Sequence, residues 1–179
     1  VSNDFDDPDQ LYRNNGDGTF SNVLEEVVPH TSWFSMGSDS ADLNGDGYFD
    51  LLVADMSART HFDQKTTMGA MNATKLARVA GPPPQIMKNA LLLGSGTDRM
   101  FEAAELAGLA DTDWTWAVKL GDYNNDSKID ALFTNGISRN FNDSDIPFNA
   151  GMLIGRTEWS IYEKTPPRRE KNLAMMNRG

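Results

Sequence analysis

The chain has no cysteine, only two histidines and no apolar stretch long enough to cross a bilayer. Without cysteine there are no disulfides, thiolate metal sites or cysteine nucleophiles, and redox chemistry says nothing about compartment. His30 and His61 lie far apart in sequence with no patterned Ser or Asp partner, so no histidine-based catalytic set is in view. A membrane helix needs roughly 18 or more consecutive apolar residues, and their lack leads us to expect a soluble chain. The sequence does not open on a basic start, apolar stretch and small-residue cleavage site, so targeting information is expected to be removed or to lie outside it. Basic residues are scarce too: 16 Lys and Arg against 26 Asp and Glu give a formal charge of −10. Phosphate contacts need a basic face, so no nucleic-acid partner is expected.

What is present is enough for one ordinary domain: 179 residues, 39% of them apolar and 23% charged. The strongest signal is internal repetition. Asp42-Leu-Asn-Gly-Asp-Gly-Tyr-Phe-Asp50 and Asp122-Tyr-Asn-Asn-Asp-Ser-Lys-Ile-Asp130 share Asp, Asn, Asp and Asp at the same four places, 80 residues apart. Before each loop lies an alternating segment, with Phe34 and Met36 in the first copy and Trp114, Trp116, Val118 and Leu120 in the second. Alternation of this kind reads as strand. After each loop, Phe49–Ala54 and Ile129–Thr134 are apolar at nearly every position, as in a strand covered on both faces. Each acidic loop therefore joins two paired strands.

A hairpin is repeated as well. Leu11–Phe20 turns through Asn14-Asn-Gly-Asp-Gly18, Leu91–Phe101 repeats it with one extra residue, and Lys171–Gly179 matches the start of a third copy. The unit is strand, acidic loop, strand, variable connection, strand, hairpin, strand, which is the make-up of a propeller blade. The expected fold is all-β: a fragment of a β-propeller with four-stranded antiparallel blades and a short helix in an insertion. Residues 1–24 would end one blade, 33–103 form a complete blade with an insertion at 57–88, and 114–179 form an incomplete blade with an insertion at 137–171. Since propellers close on four to eight blades, the chain is expected to be a piece of a longer protein whose remaining blades are partners.

Met68, Met71, Leu76 and Val79 fall at helical spacing in the first insertion, whereas the second has no clear period. The two insertions hold 11 of the 16 basic residues and 6 of the 26 acidic ones. Arg59, Lys65, Lys75, Arg78, Arg139, Arg156, Arg168 and Arg169 are thus expected either to form a basic patch for an acidic partner or to neutralise acidic rims nearby. Trp114 and Trp116 are expected to pack between blades rather than to make a sugar platform.

The acidic loops suit a hard dication, because alternate residues of a tight loop aim several oxygens at one point. Asp42, Asn44, Asp46 and Asp50 would supply side-chain oxygens and Tyr48 its carbonyl, with Gly47 easing the turn. Asp122, Asn124, Asp126, the Lys128 carbonyl and Asp130 repeat the set, with Ser127 in the glycine's place. Oxygen-only ligation favours calcium over zinc or copper, and looser geometry favours it over magnesium. The run Asp4, Asp6, Asp7 and Asp9 reads as a solvated connection, and Asn14–Gly18 as turn chemistry.

These residues resemble the FG-GAP/VCBS repeats of integrin α-type propellers. More narrowly, Gln10–Phe20, Asp42–Asp55 and Glu102–Gly136 are similar to bacterial relatives of the cartilage acidic protein (ASPIC/UnbV) family. The resemblance implies seven blades, structural calcium in the loops named above, and a secreted, cell-surface or periplasmic location. Ser127 departs from the family's glycine, and the insertions have no family counterpart. The function expected is a non-enzymatic binding or adhesion scaffold for a protein or carbohydrate ligand. The alternative is part of a polysaccharide-degrading enzyme, since such repeats also decorate those proteins.

Overall fold

The computed structural model describes residues 1–4, 7–67, 81–140, 143, 155, 157, 159–163 and 165–179. Strands dominate, with four short helices among the described residues. The first unit opens with β1 (Tyr12–Asn14) and β2 (Phe20–Asn22), then α1 (Leu24–Val27) and β3 (Thr31–Ser32). β4 (Gly37–Ala41), the first acidic loop and β5 (Asp50–Ala54) follow. The first insertion carries α2 (His61–Thr67) and β6 (Gln85–Ile86), after which come β7 (Ala90–Leu93), β8 (Phe101–Glu102) and α3 (Ala104–Ala107). β9 (Thr115–Gly121), the second acidic loop, β10 (Asp130–Asn135), α4 (Trp159–Tyr162) and β11 (Leu173–Met175) complete the order.

β4, β5, β7 and β8 form a four-stranded antiparallel meander, and β9, β10 and β11 form a three-stranded sheet in the equivalent order. β1 pairs with β2 alone. The 80-residue offset thus carries β4 onto β9 and β5 onto β10, and also α1 onto α3. Neither small helix has a clear apolar period, and four residues are too few to show one.

Side-chain alternation sends the two faces of the central sheet to different neighbours. Leu52, Ala54 and Leu91 pack with Val118, Ala131 and Phe133 of the three-stranded sheet. Val53, Ala90 and Leu92 pack with Val23, Leu24, Val27 and Val28 of the N-terminal unit. The β5 and β10 segments are largely buried because each is the second strand of its sheet and has neighbours on both sides. The sheets approach closely at Gly37, where an added Cβ would stand 3.2 Å from the Ala117 Cα and the Trp116 carbonyl oxygen.

Four expectations need correction. The strand before the first loop is β4, Gly37–Ala41, and Phe34 and Met36 precede it. Phe34 instead stacks on Trp33, their rings 5.6 Å apart. Small residues can form this edge strand because its pairing with β5 and its approach to β9 leave little room beside Gly37. Trp116 does not pack between sheets: it is half exposed, and its indole N–H donates to the Gly136 carbonyl at 2.6 Å. Asp9 is no solvated residue but is buried, accepting from the Ser35 hydroxyl at 2.7 Å and the Asn3 amide at 2.8 Å. The second insertion also contains α4, a single turn. In the first insertion α2 is helical, while Met68, Met71, Leu76 and Val79 lie outside the described residues.

Candidate metal centre

Each acidic loop is built by its own carboxylates before any ion is considered. In the first, Asp42 accepts from the backbone amides of Gly45, Asp46 and Gly47 at 2.8, 3.1 and 2.9 Å. Asn44 accepts from Asp46 N at 3.0 Å, and Asp46 from Tyr48 N at 2.9 Å. These are Asx turns, in which a short polar side chain takes up the amides that a tight bend leaves without strand partners. Asn44 Nδ2 also donates to Asp46 Oδ2 at 2.9 Å.

The second loop reproduces this frame. Asp122 accepts from Asp126 N and Ser127 N at 3.1 and 2.9 Å, Asn124 from Asp126 N and Asp126 from Lys128 N, both at 2.9 Å. Asn124 Nδ2 meets Asp126 Oδ2 at 3.0 Å. Gly45 and Gly47 have φ of +74° and +89°, and Asn125 and Ser127 take +60° and +68° at the same places. Ser127 therefore adopts the glycine conformation despite its Cβ, a strained choice that the hydrogen bonds to Asp122 and Asp126 hold in place.

Asp50 and Asp130 differ from the rest of their loops. Both are essentially fully buried, with 0% and 1% of their surface exposed. Asp50 accepts from Leu43 N at 2.8 Å and, across the sheet, from Gly94 N at 2.9 Å. Asp130 accepts from Tyr123 N at 3.1 Å and Asn177 N at 2.8 Å. Each thus ties its loop to the chain leaving the third strand of the sheet, a role with no signature in loop spacing. Tyr48 leans over the same hairpin: a Cβ at Gly96 would stand 2.4 Å from its ring, and at Gly94 2.4 Å from the Phe49 carbonyl oxygen.

The residues singled out in each loop are therefore side by side, with Asp42, Asn44, Asp46 and Tyr48 at the surface and Asp50 beneath, and likewise in the second loop. Among the described residues no Lys or Arg forms an ion pair with Asp42, Asp46, Asp122 or Asp126. Nor do three or more His, Asp or Glu side chains converge on a point there. The reason lies in the frame: Asp46 and Asp126 turn onto an Asn amide, and Asp50 and Asp130 turn inward onto backbone amides. The donor chemistry still fits a hard dication, since each carboxylate oxygen has more than one lone pair and, among the described residues, none of Asp42, Asp46, Asp122 and Asp126 is taken up by an ion pair.

Three basic residues of the insertions, Arg59, Arg139 and Arg168, are engaged close to home. Arg59 pairs with Asp113 at 2.6 Å, and Arg139 donates to the Thr165 carbonyl and lies over the Trp159 ring. Arg168 pairs with Glu170 at 2.7 Å and with Asp63 of α2 at 2.8 Å, joining the two insertions directly. Arg169 is exposed, and Lys75, Arg78 and Arg156 lie outside the described residues. The turn Asn14–Gly18 closes β1 onto β2 through Asn14 and Asp17, which accept from the amides of Gly16 and Thr19.

Compared with known proteins, residues 1–53 match the FG-GAP-like repeat family, a stretch that includes the first hairpin and the first acidic loop. The match supports the FG-GAP repeat class and, with the mostly β architecture, suggests a propeller. Neither a curated protein nor a solved structure matches the chain. Among the described residues no helix is long and apolar enough to cross a membrane.

Proposed function

We propose that the chain is part of a calcium-stabilised, seven-bladed propeller that serves outside the cytoplasm as a binding scaffold for a protein or carbohydrate partner, and not as an enzyme. Within the FG-GAP class, the motifs named above draw the reading toward the ASPIC/UnbV relatives. One observation carries it: two loops 80 residues apart present the same oxygen-rich set on the same hydrogen-bonded frame, and among the described residues no Lys or Arg forms an ion pair with Asp42, Asp46, Asp122 or Asp126. Calcium would be held by Asp42, Asn44, Asp46, Asp50 and the Tyr48 carbonyl, and by Asp122, Asn124, Asp126, Asp130 and the Lys128 carbonyl. Bound there it relieves repulsion between neighbouring carboxylates and stiffens the link between two strands. The Arg168–Asp63 contact favours a ligand surface shared by the two insertions.

Calorimetric titration of the calcium-free protein tests the reading. Two sites are expected, with one lost in Asp46→Ala and the other in Asp126→Ala. No calcium uptake overturns the metal assignment, and turnover of any member of a polysaccharide panel by the purified chain overturns the non-enzymatic one.

A further inference from the structure

The two junctions between successive units are built alike but from different chemistry. In the second junction Asn89 donates to Thr112 Oγ1, Thr112 meets Thr115 Oγ1, and Thr115 donates to Asn135 Oδ1, at 2.7, 2.8 and 2.8 Å. The Asn135 amide completes itself on the carbonyls of Thr112 and Lys171. Every member of this chain is neutral. Moving back 80 residues, Asn89 becomes Asp9, Thr115 becomes Ser35 and Asn135 becomes Asp55. Ser35 donates to Asp9 at 2.7 Å, and Asp55 accepts from Trp33 N, Phe34 N and Met56 N at 2.7, 3.1 and 2.6 Å. Asp55 is 0% exposed, Asp9 7% and Ser35 3%. Two carboxyls are thus buried together where the neighbouring junction has two amides.

We propose that the contact between the N-terminal segment and the four-stranded sheet is a proton-operated clasp, built on Asp9, Ser35 and Asp55, which loosens when both carboxyls are ionised. Ionising both puts two buried negative charges within reach of one another, with no Lys or Arg ion pair to either among the described residues and the Val1 α-amino group acting on Asp9, whereas one charge beside a neutral acid is tolerated by the donors present.

The groups around the pair can be named. On the N-terminal segment burial raises the Asp9 value, against the hydrogen bonds from Asn3 and Ser35 and then the Val1 α-amino group, which lower it. Trp33, Phe34, Ser35 and Met56 bring only neutral groups, as does Asn89, whose Oδ1 accepts from Asp55 N. Lys88, next in sequence to Asn89, is held by Glu105 and Asp111. His30 and Glu102, 4.0 Å apart, are another titratable pair in this part of the molecule.

Burial outweighs the three amide donors and the Asp9 charge adds to it, so the Asp55 carboxyl is pushed up from 3.8 to about 7. The folded protein then keeps a proton that the unfolded chain releases. The stability this contributes is complete below pH 3.8 and is lost as pH rises towards about 7.

Hydrogen exchange corrected for intrinsic rates is the test, read at the amides of Val23, Val27, Val28 and Met100, which tie the N-terminal segment together and to β8. Between pH 5 and 7 their protection is expected to fall by up to about tenfold per pH unit, the limit for one linked proton, while β9 and β10 amides hold steady. Asp55→Asn should remove that slope, His30→Gln should keep it, and Asn135→Asp should create one in the second junction. In the unaltered protein, carbon NMR of the aspartate carboxyls should show Asp55 titrating near neutrality, a readout that stands even if a variant fails to fold. A flat wild-type profile, an Asp55 that titrates as an exposed carboxylate, or a slope removed by His30→Gln but kept in Asp55→Asn overturns the clasp.

Discussion

The two acidic loops reach one geometry from different residues. The first has glycine at both left-handed positions, and the second has Asn125 and Ser127 there, yet all but one of the side-chain hydrogen bonds recur. The exception is Gly45 N to Asp42. Glycine therefore lowers the strain of the bend but does not define it: the frame comes from the carboxylate and amide side chains at alternate positions. The two unit junctions teach the opposite lesson, because similar placement there carries different chemistry, titratable in one and neutral in the other.

Removing the buried carboxylates tests the equivalence of the loops most severely. Asp50→Ala and Asp130→Ala should each cost about 3 kcal/mol in denaturant unfolding, because two buried backbone amides lose charged acceptors. Similar losses support one architecture; a large loss at only one site breaks the equivalence. Calcium should come next: at about a hundred times its dissociation constant each occupied loop adds about 2.7 kcal/mol, read as a rise in melting temperature that a chelator reverses. Asp46→Ala and Asp126→Ala should each remove one share of that rise, whereas an unchanged rise in both would show calcium binding elsewhere.

Exchanging the turn residues sharpens the contrast further. Ser127→Gly should stabilise by about 1 kcal/mol and Gly47→Ser destabilise by a similar amount, since only glycine takes positive φ freely. Changes of the same sign in both would mean that contacts rather than backbone strain govern the position. The smallest effect is expected at Lys119, which pairs with Asp39 between sheets at 3.3 Å and is mostly exposed. Lys119→Ala should cost about 0.5 kcal/mol or less, and less still in high salt.

Much of the strand plan is legible from the residues. The apolar runs at Phe49–Ala54 and Ile129–Thr134 mark strands that lie second in their sheets with neighbours on either side, although Phe49, at the loop end of its run, is exposed rather than covered. β4 is harder to read, because Gly37-Ser-Asp-Ser-Ala41 has no apolar alternation and becomes a strand through pairing with β5 and close approach to β9. The parallel pair β3 and β6 is two residues long and joins distant segments, so no local pattern announces it. Of the candidate site, the loop positions could be read from spacing, but the burial of Asp50 and Asp130 could not, since their cross-sheet donors are Gly94 and Asn177.

Local chemistry by itself determined the repeat, the Asx-turn loops and the acidic character of their surface, because each arises from residues a few positions apart. Tertiary structure decided which of the many carboxylates are solvated and which are buried. Asp9 lies in an acidic, proline-containing run that reads as exposed, yet folding brings Ser35 onto it from 26 residues away and sets Asp55, 46 residues away, within reach of its charge. Arg168 likewise belongs to a basic insertion; Glu170 two residues on is a local partner, and only the meeting of the two insertions shows that Asp63 neutralises it as well. Charge counts along a chain do not record such pairings, because the energy of an ionised group depends on the solvent and partners that the fold leaves around it.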